Sequence, residues 1–514
     1  MRRAMFLWIG LTVLFAILFL RLIELTFFEG EKNRVLADTQ RIKIRKVIAP
    51  RGIIYDRKMK PLVFNSPIFR NCPQKGEPCV YLNRETALSL EAQNKDANLV
   101  IDIGRKYPLG KATAFVLGYL GEASSEEVQA QKYLAGDFVG RSGLEEQYDN
   151  LLRGVDGGEL VETNTEGLTV RKIGQKEPVA GLDLVLNLDA DLQKVAYEAL
   201  DGKKGAIVAQ NPNTGEVLAL VSSPSFDPSD ITQKDLLNPD NPLFNRAISG
   251  GYPPGSTFKI VASIAALEEK IITADTKIED TGIIRIGQYS YSNWYFTSRG
   301  KTEGNINIVR AIARSTDTFF YKLGEMVGPK KMIEWAKKFG LGTETGIDIP
   351  GEIAGLLPNS ETGDWFLGNT FHLAIGQGDL NVSPLQINAM TSVVASGGKL
   401  CKPKLVHQEK VECTDINIKP DDLKLVVEGM KGACSPGGTA APLFDYQING
   451  QNIACKTGTA EFNDPKGNTH AWFTAFAPID KPEISVTVLI EEGGEGSVVA
   501  APMARMVMEE WFRK

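Results

Sequence analysis

Residues 250–270 read GGYPPGSTFKIVASIAALEEK, a Pro-Pro-Gly turn running straight into an apolar stretch in which Ser256 and Lys259 stand three apart. A turn followed by uninterrupted apolar residues predicts a buried helix beginning at about Ser256. Residues i and i+3 share a helix face, so the two side chains adjoin, with the serine at the positive end of the helix dipole. The spacing has a chemical use. A serine becomes a nucleophile only when something removes its proton, and a lysine kept neutral by burial or by a neighbouring cation does so. The same S-x-x-K spacing recurs at Ser298/Lys301 and Ser396/Lys399, but Gly300 interrupts one and Gly397 and Gly398 the other, which argues against a helix at both. Taken alone, the first pair also reads as an N-cap serine beside a surface lysine.

Outward from this helix, GAIVAQ and GEVLALVS flank the turn NPNT at 211–214 and predict a hairpin. Far downstream, residues 451–462 (QNIACKTGTAEF), 470–478 (HAWFTAFAP) and 483–492 (EISVTVLIEE) read as three more strands, and 502–514 as a terminal helix. Between the two strand groups lie helical patterns, among them 307–327 (NIVRAIARSTDTFFYKLGEMV) and 384–398. Strands at both ends with helices between them predict an α+β domain in which a central antiparallel sheet is covered by helices.

The chain has 514 residues, 43% hydrophobic and 23% charged, which predicts a folded protein of two or three domains. A net charge of -6 argues against a general nucleic-acid binder. Three histidines and six cysteines without a C-x-x-C pair give no metal-site pattern. The N-terminus is different. Residues 5–20, MFLWIGLTVLFAILFL, carry no charge and span about 24 Å at 1.5 Å per residue, so the turn after Arg21 must help to cross a core of roughly 30 Å. Bulky Leu22, Ile23, Leu25, Phe27 and Phe28 offer no signal-peptidase site, so the segment reads as an uncleaved single-pass anchor. Arg2 and Arg3 place its start in the cytoplasm and the bulk of the chain outside, on the periplasmic or wall side of the cell membrane. In that oxidising setting Cys72 and Cys79 are close enough in sequence for a small disulfide loop. Just past the anchor, Arg41, Lys43 and Arg45 alternate with Ile42 and Ile44, a strand with one basic face that is either solvated or turned to anionic headgroups or a partner. The expected domains are an anchor at 1–28, a mixed pedestal at 29–180 and a catalytic domain at 181–514.

Ser315-Thr316-Asp317 on a helical pattern and Lys456-Thr457-Gly458-Thr459 on a strand, in that order after Ser256/Lys259, resemble the motif series of the penicillin-recognising serine acyltransferases. The glycine has a physical reason: a side chain at a strand edge would block a substrate backbone lying alongside. Residues 241–259 (NPLFNRAISGGYPPGSTFK), 339–358, 375–386 (IGQGDLNVSPLQ) and 456–462 resemble the class B penicillin-binding proteins, monofunctional peptidoglycan D,D-transpeptidases. Residues 51–57, 105–122 and 140–154 resemble their pedestal, a dimerisation-type domain, so the likeness covers nearly the whole chain. Asp317 followed by TFFY, and THAWF at 469–473, resemble the elongation-type, cell-shape subgroup called penicillin-binding protein 2.

The resemblance implies that Ser256 attacks the carbonyl between two terminal D-alanines of a stem peptide, releases D-alanine and passes the acyl group to an amine of a second stem peptide. It implies Lys259 as general base, Ser315 as proton relay, and Lys456 as the cation that keeps Lys259 neutral. It places the Ser256 and Thr459 N–H groups in the oxyanion hole and the Thr457 and Thr459 hydroxyls on the substrate carboxylate, beside Gly458. It implies β-lactam binding, no cofactor or metal, no glycosyltransferase block, and a membrane-embedded glycan polymerase as partner to the pedestal. Asp317 stands where asparagine is commoner, and its carboxylate is expected to turn toward Lys456 or the substrate side. A carboxypeptidase or β-lactam hydrolase on the same fold, a β-lactam sensor and a non-enzymatic wall-synthesis scaffold are the rival readings.

Overall fold

The computed structural model describes residues 2–71, 80–93, 99–130, 132–134, 136–164, 169–361, 363–447, 452–462 and 464–513. Cys72 and Cys79 lie outside the described residues. Packing divides the chain into two compact units, one made of 1–52, 65–104 and 153–182, the other of 53–64, 105–152 and 183–514. Each is built from non-contiguous segments.

In the first unit, helix α1 (Arg2–Ile23) runs on without a break through Glu24–Phe28. The apolar span thus covers Met5–Phe28, 24 residues with none of its window buried, long enough to cross a bilayer. Arg21 does not stand alone there, because Glu24 pairs with it one turn on. A three-stranded sheet follows from β1 (Ile42–Val47), β2 (Gly157–Thr163) and β3 (Thr169–Lys176), with Ile44 opposite Leu160 and Arg45 opposite Glu159. The expected basic strand is present from Ile42, with Arg41 ending the helix before it; Arg41 pairs with Glu162 at 3.2 Å, and Lys46, outside the expected face, pairs with Asp156 at 2.8 Å.

The second unit is organised by a five-stranded antiparallel sheet. Its members are β4 (Gly205–Gln210), β5 (Val217–Ser223), β6 (Ala454–Glu461), β7 (Thr469–Ala477) and β8 (Ile484–Ile490), in the spatial order β5-β4-β8-β7-β6. The predicted hairpin is β4–β5, and β8 lies against β4 with Gly205 opposite Ile490, closing the two distant strand groups into one sheet. Helices cover both faces, so β4, β5 and β8 are buried along their whole length and read as apolar runs rather than alternations. On one face, α2 (Ala190–Ala199) and the terminal helix α9 (Ala500–Phe512) bury Leu192, Ala196, Ala504 and Val507 with Ile207, Phe473 and Val486.

The other face carries α3 (Lys259–Glu268), α4 (Ile308–Arg314), α5 (Asp317–Val327), α6 (Leu367–Ala374), α7 (Pro384–Ala395) and α8 (Pro420–Ala433), whose core includes Ile264, Ile312, Phe319, Met390, Val426 and Trp472. Residues 307–327, expected as one helical run, form two helices instead. The break falls at Ser315, which takes a left-handed φ of 53°. Ile54, Leu62, Val116, Leu144 and Leu152 share a third cluster with Ala206 and Val208, which ties 53–64 and 105–152 into this unit.

Candidate active site

Ser256 sits in a tight 3-10 turn, Gly255–Phe258, at the mouth of α3. The turn exists because of what precedes it. Gly255 adopts φ 56°, a conformation that L side chains rarely take, and its N–H donates to Gly376 O at 2.8 Å. Thr257 Oγ1 donates to Pro254 O at 2.8 Å, and Trp472 Nε1 on β7 donates to Pro253 O at 2.9 Å. Ser256 is partly exposed, whereas every residue from Lys259 to Leu267 is buried. Of the two other S-x-x-K pairs, Ser298 does lie on a short helix, Trp294–Arg299, contrary to expectation. Gly300 ends that helix before Lys301, and both residues are exposed. Ser396 caps the end of α7 and accepts the Lys399 backbone N–H at 3.2 Å.

Lys259 and Lys456 are both fully buried, and they converge on one hydroxyl. Lys259 Nζ donates to Ser315 Oγ at 3.2 Å, to Ser315 O at 2.9 Å and to Asp317 Oδ1 at 2.6 Å. Lys456 Nζ donates to the same Ser315 Oγ at 2.8 Å and to Thr457 O at 2.9 Å. The left-handed turn at Ser315, a strained conformation for a residue with a side chain, aims its oxygen between the two amines. Asp317 therefore pairs with Lys259, not with Lys456 or the substrate side as expected. The short chain between Ser315 and the start of α5 brings its carboxylate back over Lys259.

Burial pulls the Lys259 amine below the usual lysine range, with Asp317 pulling the other way. Burial, then the charge of Lys259, pulls Lys456 well below it, again against Asp317. The repulsion is mutual, so a charge on either amine disfavours a charge on the other. The donors are arranged to suit one ammonium. Lys259 meets three acceptors, the full complement of an ammonium, while Lys456 meets two, which leaves room for a lone pair.

Strand β6 is the edge of its sheet, so one row of its backbone groups is open to a ligand. Thr457 and Thr459 lie along it, Thr459 exposed and the Thr457 hydroxyl 2.8 Å from that of Thr439. A Cβ on Gly458 would come within 2.8 Å of Trp472 Cβ, 3.1 Å of Thr257 Cγ2 and 3.3 Å of Pro254 O. The glycine thus sets how closely the edge strand approaches the Ser256 turn.

Several site residues escaped the sequence reading. The Trp294 N–H donates to Asp317 Oδ2 at 3.1 Å, and the Asp317 N–H donates to Asn293 Oδ1 at 3.3 Å. Asn293 in turn donates to buried Asp280 at 2.9 Å. No motif marks these three, which come from the end of the strand Ile278–Asp280 and the start of the short helix Trp294–Arg299. Trp472 and Gln377 do stand in quoted segments, HAWF and IGQG, without a role being read from them. Cys455, one residue before Lys456, is bonded to Cys434 at the end of α8, and Cys401 to Cys413.

A serine at a helix mouth, two buried amines meeting at a second serine, and an open strand edge beside them define a serine acyltransferase site. The chain belongs to the penicillin-binding protein transpeptidase family. The family described as Penicillin binding protein transpeptidase domain matches residues 205–509, and that described as Penicillin-binding Protein dimerisation domain matches 81–186. The chain is 32% identical to the peptidoglycan D,D-transpeptidase MrdA of Acinetobacter baumannii, over 99% of this chain and 88% of the relative. It superposes on penicillin-binding protein 2 of Helicobacter pylori, solved in complex with MreC, with a TM-score of 0.79 and 28% identity over 91% of this chain and 98% of that one. A chain from a peptidoglycan synthase complex, solved for its structural coordination of polymerization and crosslinking, gives a TM-score of 0.80 and 30% identity over 99% of this chain and 98% of that one. The family read from the motifs is borne out.

Proposed function

We propose that this chain is a peptidoglycan D,D-transpeptidase that cross-links stem peptides through an acyl-enzyme on Ser256, in the elongation-type role of penicillin-binding protein 2. The observation that carries the chemistry is the convergence of Lys259 and Lys456 on the Ser315 hydroxyl. A proton passing from Lys259 to Ser315 Oγ, while the Ser315 hydroxyl proton passes to Lys456, leaves Lys259 neutral and conserves the charge of the pair. Neutral Lys259 then takes the Ser256 proton as Oγ bonds to the carbonyl carbon of the penultimate D-alanine. The C–N bond to the terminal D-alanine breaks, and the leaving amine collects a proton through Ser315. In the second half the acceptor amine attacks the ester, gives up a proton along the same path and returns Ser256 to its hydroxyl form.

The N–H groups of Ser256 and Thr459 hold the developing oxyanion, an interaction worth about 2.7–4 kcal/mol per donor in related chemistry. The Thr457 and Thr459 hydroxyls hold the terminal carboxylate, and Gly458 lets the peptide lie along β6. Asp317 orients Lys259. Residues 29–180 serve as the pedestal and 181–514 as the catalytic part, with α1 as the anchor, its start cytoplasmic and the site outside. The pedestal is the face we assign to a membrane-embedded glycan polymerase, in line with relatives solved with a partner in a synthase complex and with MreC.

Incubation with labelled penicillin tests this reading. An adduct on the peptide containing Ser256, abolished in Ser256→Ala, is the expected result. Label that persists in that variant, or that maps to Ser298 or Ser396, overturns the assignment.

A further inference from the structure

Glu461 closes the K-T-G strand, and it is used by nothing described above. Its carboxylate is exposed, and among the described residues it has neither an ion pair nor a hydrogen bond. Its backbone, by contrast, is held. With its amide turned to suit both groups, Gln377 donates to Glu461 O at 3.2 Å and accepts from Glu461 N–H at 3.3 Å. Gln377 thereby occupies the open edge of β6 at Glu461 as a paired strand would.

Backbone groups on a strand alternate in direction, so those of Thr457 and Thr459 face the same open edge as those of Glu461. A peptide added to this edge thus has an open rung at Thr459, meets the Thr457 carbonyl already accepting from Lys456, and meets a stop at Glu461. The direction of that peptide follows from the proposed function, on which this inference rests. Its carboxylate lies at Thr457 and its scissile carbonyl at the Thr459 N–H, so the part preceding the two D-alanines runs toward Glu461. The Glu461 side chain leaves the strand on the same face as Thr459, about 6.8 Å further along.

Donor and acceptor are copies of one stem peptide, so the donor carries the same amine that the acceptor uses. We propose that Glu461 recognises the side-chain ammonium of that amine-bearing residue in the donor peptide. The neighbouring rings pack among themselves: Tyr321 stacks on Phe371 at 5.2 Å with both buried, while half-buried Tyr291 meets Phe371 edge-on at 5.1 Å and the His372 ring at 5.7 Å. The Glu461 charge raises both Tyr321 and His372, and at His372 burial outweighs it and holds the ring below its usual range. The amine of the acceptor is the other source of the same chemistry. Acylation precedes acceptor binding, and that order separates the two.

The test uses the full chain and two donor peptides, acetyl-L-lysyl-D-alanyl-D-alanine with its ε-amine free or acetylated. Single-turnover release of D-alanine, with enzyme in excess, reads acylation alone. The wild-type chain is expected to favour the free amine about three- to fivefold, the size an exposed ion pair supplies, through binding rather than the maximal rate. The preference should shrink as salt rises. In Glu461→Gln the ratio should fall to about one, and in Glu461→Lys it should invert. Equal ratios in all three proteins, or a discrimination that appears only after D-alanine has left, overturn the inference. Penicillin labelling of Ser256 in the wild-type chain reads the transpeptidase assignment separately, so loss of that label marks failure of the underlying function and not of the Glu461 subsite.

Discussion

At Lys259 two opposing effects meet in one side chain: full burial disfavours the ammonium, and a carboxylate at 2.6 Å favours it. Asp317→Asn removes only the second, at nearly constant volume and with an oxygen still able to accept from Trp294. Its effect has a definite sign. Without the carboxylate the Lys259 amine falls further, the neutral base is present at lower pH, and the acid limb of penicillin acylation against pH should move down by about one unit or more. An acid limb that stays in place shows that the ion pair does not set the base. Lys456 offers the converse. Its folded value lies well below the ordinary 10.5, so between the two the unfolded chain binds more protons and folding stability falls as pH falls from 10.5 through that window. Lys456→Met should abolish acylation while raising the melting temperature at neutral pH, with the gain fading above about pH 10.5. A lower melting temperature at neutral pH shows instead that the amine's two hydrogen bonds outweigh its desolvation.

Two elements hold the site at a working distance: edge strand β6 and the turn that carries Ser256. Gly458→Val places branched atoms where even a Cβ meets Trp472 at 2.8 Å and Thr257 at 3.1 Å, so the strand must retreat from the turn. A displacement near 1 Å costs on the order of 100-fold in rate, and we expect that loss in penicillin acylation with Ser256 and both lysines intact. Wild-type acylation in this variant argues that the turn yields instead. At the upstream end of β6, Cys455 is tied to Cys434 across a separation of 21 residues. A loop of that length stabilises by about 3 kcal/mol through the unfolded chain, so the double serine variant should lose about that much in urea unfolding, with a slope equal to or steeper than that of the parent. A loss under 1 kcal/mol means the helix end and strand hold together unaided.

Periodicity made the strands and α3 legible, because burial on one or both faces writes itself into spacing. The break at Ser315 was not legible. No glycine or proline marks it, and the left-handed turn is held by tertiary partners, the two lysines. Cystine pairing and the Asn293–Trp294 support of Asp317 were unreadable for a related reason, since both join segments whose proximity only the folded chain creates.

On the scale of the whole chain, the span from Met5 to Phe28 is apolar and, apart from half-buried Ile23, exposed along its length. A soluble core helix of this composition would be buried, since leaving so many large side chains in water opposes folding at about 25 cal/mol per Å² of apolar surface. The one charged pair within it, Arg21 with Glu24, is internally compensated, which lowers the burden of placing either near the headgroups. These features predict that the full chain stays in the membrane pellet through an alkaline carbonate wash, and that deletion of residues 1–28 releases the remainder in a form still acylated by penicillin. Arg2 and Arg3 predict the direction, with the start of the chain cytoplasmic. Protease added outside intact spheroplasts should therefore destroy penicillin labelling, while an epitope placed before Arg2 stays protected until the membrane is opened. Digestion of that epitope in intact spheroplasts, with labelling preserved, inverts the topology and removes the site from the stem peptides it is built to join.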